Sequence, residues 1–365
     1  MSYEHEQWYL HRQLLDRSPK VHSRTGHRLD NLPSPPVSHP RLETLMGGPY
    51  RIAAGARPRK IDYAPNTPPI WDQGQRGTCT AHGATRAVCY RFISAGQEPE
   101  GDLSREFAYW AAKQLDGMPG QDGSTSWAAW QGFVKYGCPP APLDQYNPGE
   151  SDLALTPPSA AALSAAAQWK IPSFAQLLNA GDPERGDYTI ETICNALWLY
   201  GPLSVAHMVC QNFVPDPKTS IIPLPAGSLE GGHEECIVGY DDDARLFRVA
   251  NSWGPGWGLG GYWLMPYEWI AASYDPVGNG SKAWYVYDSY TTSMTAIPRQ
   301  AKQIVLTIGS TVAVVDGEQI ALDEAPKIDS KTGRTLLPVR AMAGNMGYAV
   351  AWEPSSPQIT LTRVG

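Results

Sequence analysis

The 365-residue sequence is poor in charged residues and in cysteine, and it contains no long apolar run without polar breaks. Charged residues make up 18% of the chain, against about 25% in typical globular domains. The six cysteines are widely spaced and include no CxxC pair, so we expect no zinc site. The longest uncharged stretch, residues 192–215, is interrupted by Gly201-Pro202. This break predicts a buried helix, a turn and a buried strand rather than a membrane span.

A basic surface is also missing, because the net charge is −7 and the isoelectric point is about 5.6. Nucleic-acid binding needs concentrated lysine and arginine, so we expect no nucleic-acid partner. The first residues show no basic segment followed by an apolar run, and no signal peptide is visible. The chain is instead rich in glycine (35), proline (33), tyrosine (18) and tryptophan (13). This composition favours a compact but loop-rich protein with an aromatic core.

Residues 1–60 differ from the rest of the chain. They hold seven prolines, five of the eight histidines and a net charge of about +5, which leaves about −12 on the remainder. We predict a short helix near Tyr3–Leu15, an extended run over 33–40, and electrostatic docking of this arm on the acidic body. The alternative is a solvated, disordered tail.

The body of the chain places helices before strands. Apolar spacing predicts helices over Cys79–Ile93 and Ser126–Tyr136. Four strands are predicted further on, over Leu203–Met208, Glu235–Tyr240, Leu246–Ala250 and Gly261–Met265. We therefore predict an α+β fold in which a helical half faces a sheet half across a cleft.

Residues 303–365 form a separate pattern, which predicts a small α+β module. Strand-like segments lead to Asp316-Gly317, a strong hairpin signal, and a short helix is predicted near Val339–Asn345. Further strands are predicted over Tyr348–Trp352 and Gln358–Arg363. The module contains no histidine or cysteine.

Cys79 is the candidate nucleophile. It lies where the first predicted helix begins, and a helix N-terminus together with a nearby imidazolium lowers the pKa of a thiol. Gln73 lies six residues earlier in a glycine-rich turn. Its amide and the backbone N–H of Cys79 could together form an oxyanion hole.

Three histidines lie outside the arm, at positions 82, 207 and 233. We predict packing for His82 and a wall position for His207. His233 follows two glycines and opens a predicted strand, so its ring is expected to emerge from a strand end at the lip of the cleft. The side chain of Asn251 could then accept a hydrogen bond from the other ring nitrogen of His233, and Trp253 could shield that hydrogen bond from water.

Three motifs in this order resemble those of papain-like cysteine peptidases. They are Asp-Gln-Gly-Gln-Arg-Gly-Thr-Cys (72–79), Gly-Gly-His (231–233) and Asn-Ser-Trp-Gly-Pro-Gly-Trp-Gly (251–258). The resemblance implies a two-lobed papain-like fold and a thiol endopeptidase that acts on protein or peptide substrates without a cofactor or metal. It implies four catalytic residues: Cys79 as nucleophile, His233 as acid and base, Asn251 as orienting residue and Gln73 as oxyanion donor.

The resemblance also points to substrate contacts. Residues 121–127 align with a glycine-rich strip that pairs with substrate backbone, so Gly123 and Ser124 are predicted contacts. Trp253 is also predicted to contact the substrate. Glu234 and Ala206 are predicted on opposite walls of the neighbouring specificity pocket. We hypothesise that Glu234 favours a basic or polar residue one place upstream of the residue whose bond is cut, the alternative being a solvated charge at the rim.

Two positions depart from the family pattern. Arg76 stands where the family usually has a disulfide cysteine, so that bridge is expected to be absent. Thr80 replaces the aromatic residue that usually follows the nucleophile. Neither position performs chemistry, so we expect activity to survive both changes.

The tail resembles the repeat domains named after the copper amine oxidase N-terminal domain, through Asp316-Gly317 and residues 333–340. By analogy it implies cell-surface contact and an extracellular location, and a cytoplasmic location stays open. We thus predict an inhibitory propeptide-like arm over 1–60, a peptidase domain over 61–297 and this module over 298–365. The alternatives are a cell-wall amidase that shares the Cys–His arrangement and a catalytically silent binding protein.

Overall fold

The computed structural model describes residues 57–149, 156–182, 184–276 and 278–292, together with residue 330 and seven strands beyond residue 302. The described residues from 58 to 292 belong to one compact unit, and the later strands belong to a second. The predictions for the arm before residue 57, for the tip of the Asp316-Gly317 hairpin and for the helix near 339–345 lie outside the described residues.

Five α-helices are described. They are α1 (Cys79–Ser94), α2 (Arg105–Lys113), α3 (Ser126–Lys135), α4 (Ala160–Ala166) and α5 (Asp187–Tyr200). Short 3-10 helices cover Ala64–Asn66, Ala141–Leu143, Ala167–Trp169 and Tyr267–Ala271. Helices α2 and α3 begin where the hydroxyls of Ser104 and Thr125 accept backbone N–H groups of the first turn. The predicted bounds of α1 and α3 agree with the structure to within one residue.

Nine strands are described before residue 293. They are β1 (Lys60–Asp62), β2 (Phe174–Leu178), β3 (Leu203–Cys210), β4 (Leu229–Asp241), β5 (Leu246–Ala250), β6 (Tyr262–Pro266), β7 (Ser273–Tyr274), β8 (Ala283–Trp284) and β9 (Val286–Thr292). Seven of them form an antiparallel sheet in the order β2-β9-β3-β4-β5-β6, with β1 on β4. The pair β7 and β8 is separate.

Helix α1 packs between the other helices and the sheet. It is lined by small and apolar residues, including Ala81, Ala84 and Val88, and these are fully buried. Small side chains allow close approach of the helix to its neighbours on several sides. Aromatic side chains, including Phe107 and Trp130, fill the helical lobe around it. The predicted α+β arrangement of a helical lobe and a sheet lobe is confirmed.

The uncharged stretch folds as predicted. Helix α5 ends at Tyr200, Gly201 adopts a positive φ of 74° that favours glycine, and β3 follows at once. No helix within the described residues is long and apolar enough to cross a membrane.

The predicted arm boundary at residue 60 falls inside the folded unit. Strand β1 pairs with the end of β4, with Lys60 opposite Asp241. The Lys60 ammonium lies 2.8 Å from the carboxylate of Asp241, and the Tyr240 hydroxyl donates a hydrogen bond of 2.6 Å to the carbonyl of Pro58. Residues 58–62 are therefore part of the body.

The C-terminal unit contains β10 (Gln303–Thr307), β11 (Val312–Val315), β12 (Glu318–Ala321), β13 (Lys327–Ile328), β14 (Thr335–Leu336), β15 (Tyr348–Glu353) and β16 (Gln358–Arg363). Five strands form an antiparallel sheet in the order β12-β11-β10-β16-β15, and β13 pairs with β14. Val315 lies opposite Glu318 across the predicted hairpin, which agrees with a two-residue connection.

Candidate active site

The loop that leads into α1 is tied down on both sides. Asp72 accepts the N–H of Gly74 at 2.8 Å, which closes the turn. The N–H of Gly77 donates to both carboxylate oxygens of Asp122, at 3.0 and 2.9 Å. The loop therefore joins the 121–124 strip before Cys79 begins the helix, and Cys79 is fully buried.

The side-chain amide of Gln73 is held at both ends. Its Nε2 donates to the carbonyl of Arg76 at 2.7 Å, and its Oε1 accepts from the Ser252 hydroxyl at 2.5 Å. Its backbone N–H also donates to the carbonyl of Ser252 at 2.8 Å. These bonds fix the amide beside the turn that precedes Cys79. Sequence reasoning quoted Ser252 within its motif but assigned it no role.

His233 and Asn251 meet as predicted. The Nε2 atom of His233 lies 2.9 Å from Oδ1 of Asn251. The indole of Trp253 stacks on the imidazole, with ring centroids 4.8 Å apart and planes 29° apart. None of the described residues forms a hydrogen bond with Nδ1 of His233. The side chain is therefore oriented through Nε2, and Nδ1 has no hydrogen-bond partner among these residues.

The position of His233 within the sheet differs from the prediction. Strand β4 begins at Leu229, so His233 lies inside the strand rather than at its end. The two preceding glycines still pair with Val209 and Met208 of β3. Because β3 supplies partners for this segment, the glycines continue the ladder instead of ending it.

Gly83 brings α1 against β4. A Cβ atom at this position would lie 2.9 Å from the carbonyl oxygen of Glu235 and 3.1 Å from Cγ of Glu234. Cys79 lies one turn earlier on the same helix face. The close approach that glycine permits thus places the start of α1 beside the segment of β4 that carries His233.

The six cysteines all lie in the described residues, and none forms a disulfide bond. Burial raises the pKa of Cys89, Cys210 and Cys236 to about 12. These thiols stay protonated at neutral pH and are inert. Cys79 differs from them because it occupies the first position of a helix, where the helix dipole favours a thiolate.

Arg76 forms a different cross-link at the position where the resemblance implies a disulfide cysteine. Its guanidinium makes two parallel hydrogen bonds with Glu106, of 2.5 and 2.7 Å, and a third with the carbonyl of Asn147 at 3.0 Å. It also lies over the ring of Tyr146. A bidentate pair of this kind holds the loop to α2 without sulfur.

The predicted pocket residues lie side by side. Ala206 of β3 pairs with Glu234 of β4 and also with Asp288 of β9, so the three residues share one face of the sheet. The prediction that Glu234 and Ala206 form opposite walls is wrong, because their strands are neighbours. The rim alternative for Glu234 is also wrong, because its side chain is 0% exposed.

Both acidic groups on this face are perturbed. Burial raises the pKa of Glu234 to about 8, and hydroxyls of Ser126 and Ser204 oppose the shift only in part. Neither carboxyl oxygen of Glu234 has a partner in good hydrogen-bond geometry among the described residues. Burial also raises the pKa of Asp288 to about 7, although this carboxyl accepts a hydrogen bond from Gln176.

The strip containing Gly123 and Ser124 is braced from within. The N–H of Gly123 donates to the Tyr109 hydroxyl at 3.0 Å, and its carbonyl accepts from Lys113 at 3.0 Å. The hydroxyl of Ser124 donates to Asp116 at 2.9 Å. The predicted substrate contacts of Gly123 and Ser124 stay predictions, and a substrate would have to share the polar groups of Gly123.

The other two histidines lie in the core. His82 is buried and its Nδ1 lies 2.9 Å from the carbonyl of Thr78. Burial holds the pKa of His82 well below its usual range, as expected for a packing role. His207 is fully buried and contacts Glu235, with 2.7 Å between Nε2 and Oε2. Glu235 is not predicted from the sequence, although it lies between two histidines that are: it contacts His207 and lies 3.9 Å from Nε2 of His233.

Comparisons with known proteins agree with this geometry. A model of the papain family cysteine protease matches residues 57–272, which is more than half of the chain. A model of the copper amine oxidase N-terminal domain matches residues 260–361. The two matches overlap in the segment that contains β6.

A peptidase C1-like protein of Acanthamoeba polyphaga mimivirus is 30% identical over 218 residues, which are 58% of this chain and 69% of that protein. Cathepsin B-like CP2 of Giardia intestinalis is 27% identical over 209 residues, 56% of this chain and 66% of that protein. Among solved structures, xylellain, a cysteine protease from Xylella fastidiosa, is 25% identical with a TM-score of 0.58, covering 75% of this chain and 97% of that one. The procathepsin B S9 of Trypanosoma congolense shares the fold, with 20% identity, a TM-score of 0.51 and coverage of 74% and 86%. The chain therefore belongs to the papain family of cysteine proteases.

Proposed function

We propose that this cysteine peptidase cleaves internal peptide bonds through an acyl-enzyme at Cys79. The thiolate sulfur attacks the peptide carbonyl carbon, and the carbonyl oxygen becomes an oxyanion near the Gln73 amide and the backbone N–H of Cys79. His233 gives its proton to the leaving amine as the C–N bond breaks. Water then attacks the thioester, His233 takes a proton from that water, and the sulfur leaves.

The pairing of His233 with Asn251 carries the proposal. One imidazole nitrogen is held at 2.9 Å by the amide oxygen, so the tautomer and the ring orientation are set. Trp253 covers one face of the ring. The helix that begins at Cys79 packs on the same strand through Gly83, which supports a reaction between Cys79 and His233, and a helix N-terminus stabilises a thiolate.

Labelling with an epoxide thiol inhibitor tests this assignment. We expect the purified protein to cleave a fluorogenic peptide and to take up one inhibitor at Cys79. Cys79→Ala should lose both properties. Cys89→Ala is the matched control, because Cys89 lies on the same helix with an inert thiol, and it should retain both. Uptake that persists in Cys79→Ala would contradict the assignment. Absence of inhibitor uptake by a protein that lacks residues 1–56 would favour a silent binding protein, and release of peptidoglycan fragments instead of peptides would favour an amidase.

We further propose that Glu234 sets the specificity of the pocket beside Ala206. The carboxyl is buried and has unused hydrogen-bonding capacity, so a basic side chain entering the pocket could form an ion pair with it. Such a cation would lower the pKa of Glu234 from about 8. Asp288 on the same face would add to the attraction.

A positional peptide library at several pH values tests this role. We expect arginine or lysine to be favoured one place upstream of the cleaved residue, with the preference growing as pH rises towards 8. Glu234→Gln should remove the preference and its pH dependence. A preference for leucine or phenylalanine that Glu234→Ala leaves unchanged would reject the proposal.

The N-terminal arm is proposed to inhibit the enzyme by covering the cleft. Cys79, His233 and Gln73 are buried, and an arm lying over the cleft would block the access of substrate to the sulfur. The arm has a charge of about +5 and the remainder about −12, which favours docking. Its five histidines gain positive charge below about pH 6.5, which adds to the attraction, whereas the acidic partners are neutralised near pH 4, which removes it. Docking should therefore weaken only as the pH approaches 4.

Deletion of residues 1–56 tests inhibition while keeping Pro58 and β1 in the fold. We expect the truncated protein to be several-fold more active at pH 7 than the full chain, and mass spectrometry to show loss of the arm from the full chain at acid pH. Cys79→Ala should stay intact under the same conditions. Equal turnover with and without the arm would refute inhibition. The extracellular location and the surface role of the C-terminal module stay predictions, which rest on the copper amine oxidase N-terminal resemblance.

A further inference from the structure

A buried pair of ionisable side chains, His207 and Glu235, lies beside His233. The register of β3 and β4 places His207 opposite His233, and Glu235 follows two residues later on the same face of β4. The side chains of His207 and Glu235 are both fully buried, with 2.7 Å between Nε2 and Oε2. The Trp263 indole N–H donates to both carboxylate oxygens of Glu235, at 3.1 and 3.0 Å.

The hydrogen bonds of this pair indicate its charge. Nδ1 of His207 lies 3.2 Å from the carbonyl oxygen of Met208, and Nε2 faces Glu235. Two oxygen acceptors require two N–H donors, so the ring fits an imidazolium. The carboxylate of Glu235 in turn receives donors from His207 and Trp263, which fits the ionised form.

The pair is within electrostatic reach of His233. Oε1 of Glu235 lies 3.9 Å from Nε2 of His233, whereas the rings of His207 and His233 have centroids 5.9 Å apart. Burial lowers the pKa of His233 to about 4, while Glu235 raises it, His207 lowers it and Asn251 raises it. The influence of Glu235 on the pKa of His233 is larger than that of His207, so the pair as a whole favours a proton on His233.

Two titratable groups are placed near His233 within the described residues: Glu235 on its own strand and His207 opposite it on β3. Cys79, at the start of α1, is the group proposed to react with it. Asn251 and Trp253, from the loop after β5, are neutral. A thiolate at Cys79 would also favour the protonated ring.

We propose that Glu235 is a positioning residue that stabilises protonated His233, and that His207 limits the strength of this effect. The inference rests on the proposed roles of Cys79 and His233. A buried ion pair gives little stability beyond that of well-packed apolar residues, so its location beside the acid and base is the feature that needs explanation. The pair keeps the thiolate and imidazolium together at higher pH, where His233 must still protonate the leaving amine.

Two single substitutions that remove charges of opposite sign separate this electrostatic effect on His233 from a structural effect. Glu235→Gln removes the negative charge and retains the size of the side chain. We expect the alkaline limb of the pH profile of kcat/KM to move to lower pH by about one unit. His207→Gln removes the positive charge and should move the same limb to higher pH. Shifts in the same direction, or lower kcat with unmoved limbs, would overturn the inference.

An NMR titration makes the test independent of peptide cleavage. In a Cys79→Ala background with labelled histidine, the His233 resonance should titrate at lower pH in Glu235→Gln and at higher pH in His207→Gln. If Glu235→Gln does not fold, His207→Leu/Glu235→Met replaces the pair by apolar residues, and its His233 should titrate below that of the parent. An unchanged His233 titration would refute the inference even if the peptidase assignment holds. Failure of Cys79 labelling would instead refute the proposed function alone.

Discussion

Arg76 and Glu106 join the loop before α1 to the first turn of α2 through two parallel hydrogen bonds of 2.5 and 2.7 Å. The carbonyl of Arg76 also accepts the amide of Gln73 at 2.7 Å. The ion pair therefore supports the residue proposed to bind the oxyanion. Arg76 is 7% exposed, so this pair is better shielded from water than a surface ion pair.

We predict that Arg76→Met lowers the free energy of unfolding by about 3 kcal/mol, because it leaves Glu106 without its partner in a largely buried setting. Glu106→Leu in the same background should restore part of that loss. Chemical denaturation of Cys79→Ala forms provides the measurement. Arg59→Ala, which removes an exposed contact with Asp243, is the control and should change stability little. A similarly small effect of Arg76→Met would contradict the bracing role.

We predict that Ser252→Ala lowers kcat by about tenfold and leaves KM nearly unchanged. The Gln73 amide would lose the hydroxyl that holds its Oε1 at 2.5 Å, and its donor would be less well aimed at the oxyanion. Thr292→Val removes another partly buried hydroxyl, which bonds Ser173 at the far edge of the sheet, and should leave kcat intact. Equal losses in the two variants would show that the effect is not specific to Gln73.

We predict that Gly83→Ala destabilises the protein by about 1–3 kcal/mol and reduces peptidase activity. Alanine would normally favour the helix, but here its Cβ would lie 2.9 Å from the carbonyl oxygen of Glu235. The helix would have to move away from β4 and carry Cys79 with it. Gly256→Ala is the matched control, because a methyl group added at that position would meet only open space. Thermal unfolding and peptide turnover of both variants test the difference.

We predict that the free energy of unfolding falls by about 1–2 kcal/mol between pH 6.5 and pH 8. The pKa of Glu234 is raised to about 8 in the folded chain, so the folded state binds more protons than the unfolded state across this interval. The pKa of His233 is lowered to about 4, so this group makes the free energy of unfolding depend on pH only below about pH 6.5. There the stability decreases as the pH falls towards 4.

Denaturation of Cys79→Ala at several pH values measures this slope. Glu234→Gln should flatten most of it and leave a smaller part from Asp288, whose pKa is raised to about 7. Asp216→Asn is the control, because Asp216 is exposed and local N–H groups lower its pKa. A slope that Glu234→Gln leaves unaltered would assign the effect to other groups.

Local patterns were sufficient to predict much of the fold and of the candidate site. The start of α1 at Cys79 follows from apolar spacing and the preceding glycine turn, and the contact between His233 and Asn251 follows from two motifs. The start of β4 at Leu229 was not predicted, because two consecutive glycines such as Gly231 and Gly232 usually weaken or end a strand. Here they continue it, since β3 provides hydrogen-bond partners from a distant part of the chain.

The sequence by itself determined which chemical groups are available: a thiol at a helix start, a histidine after two glycines and an asparagine before tryptophan. Only the tertiary structure decided what surrounds them. It pairs His207 with Glu235 beside His233, and it buries Glu234 on the face shared with Ala206. The physical reason is that cross-strand register and burial depend on long-range pairing, whereas helix starts and turns depend on neighbouring residues.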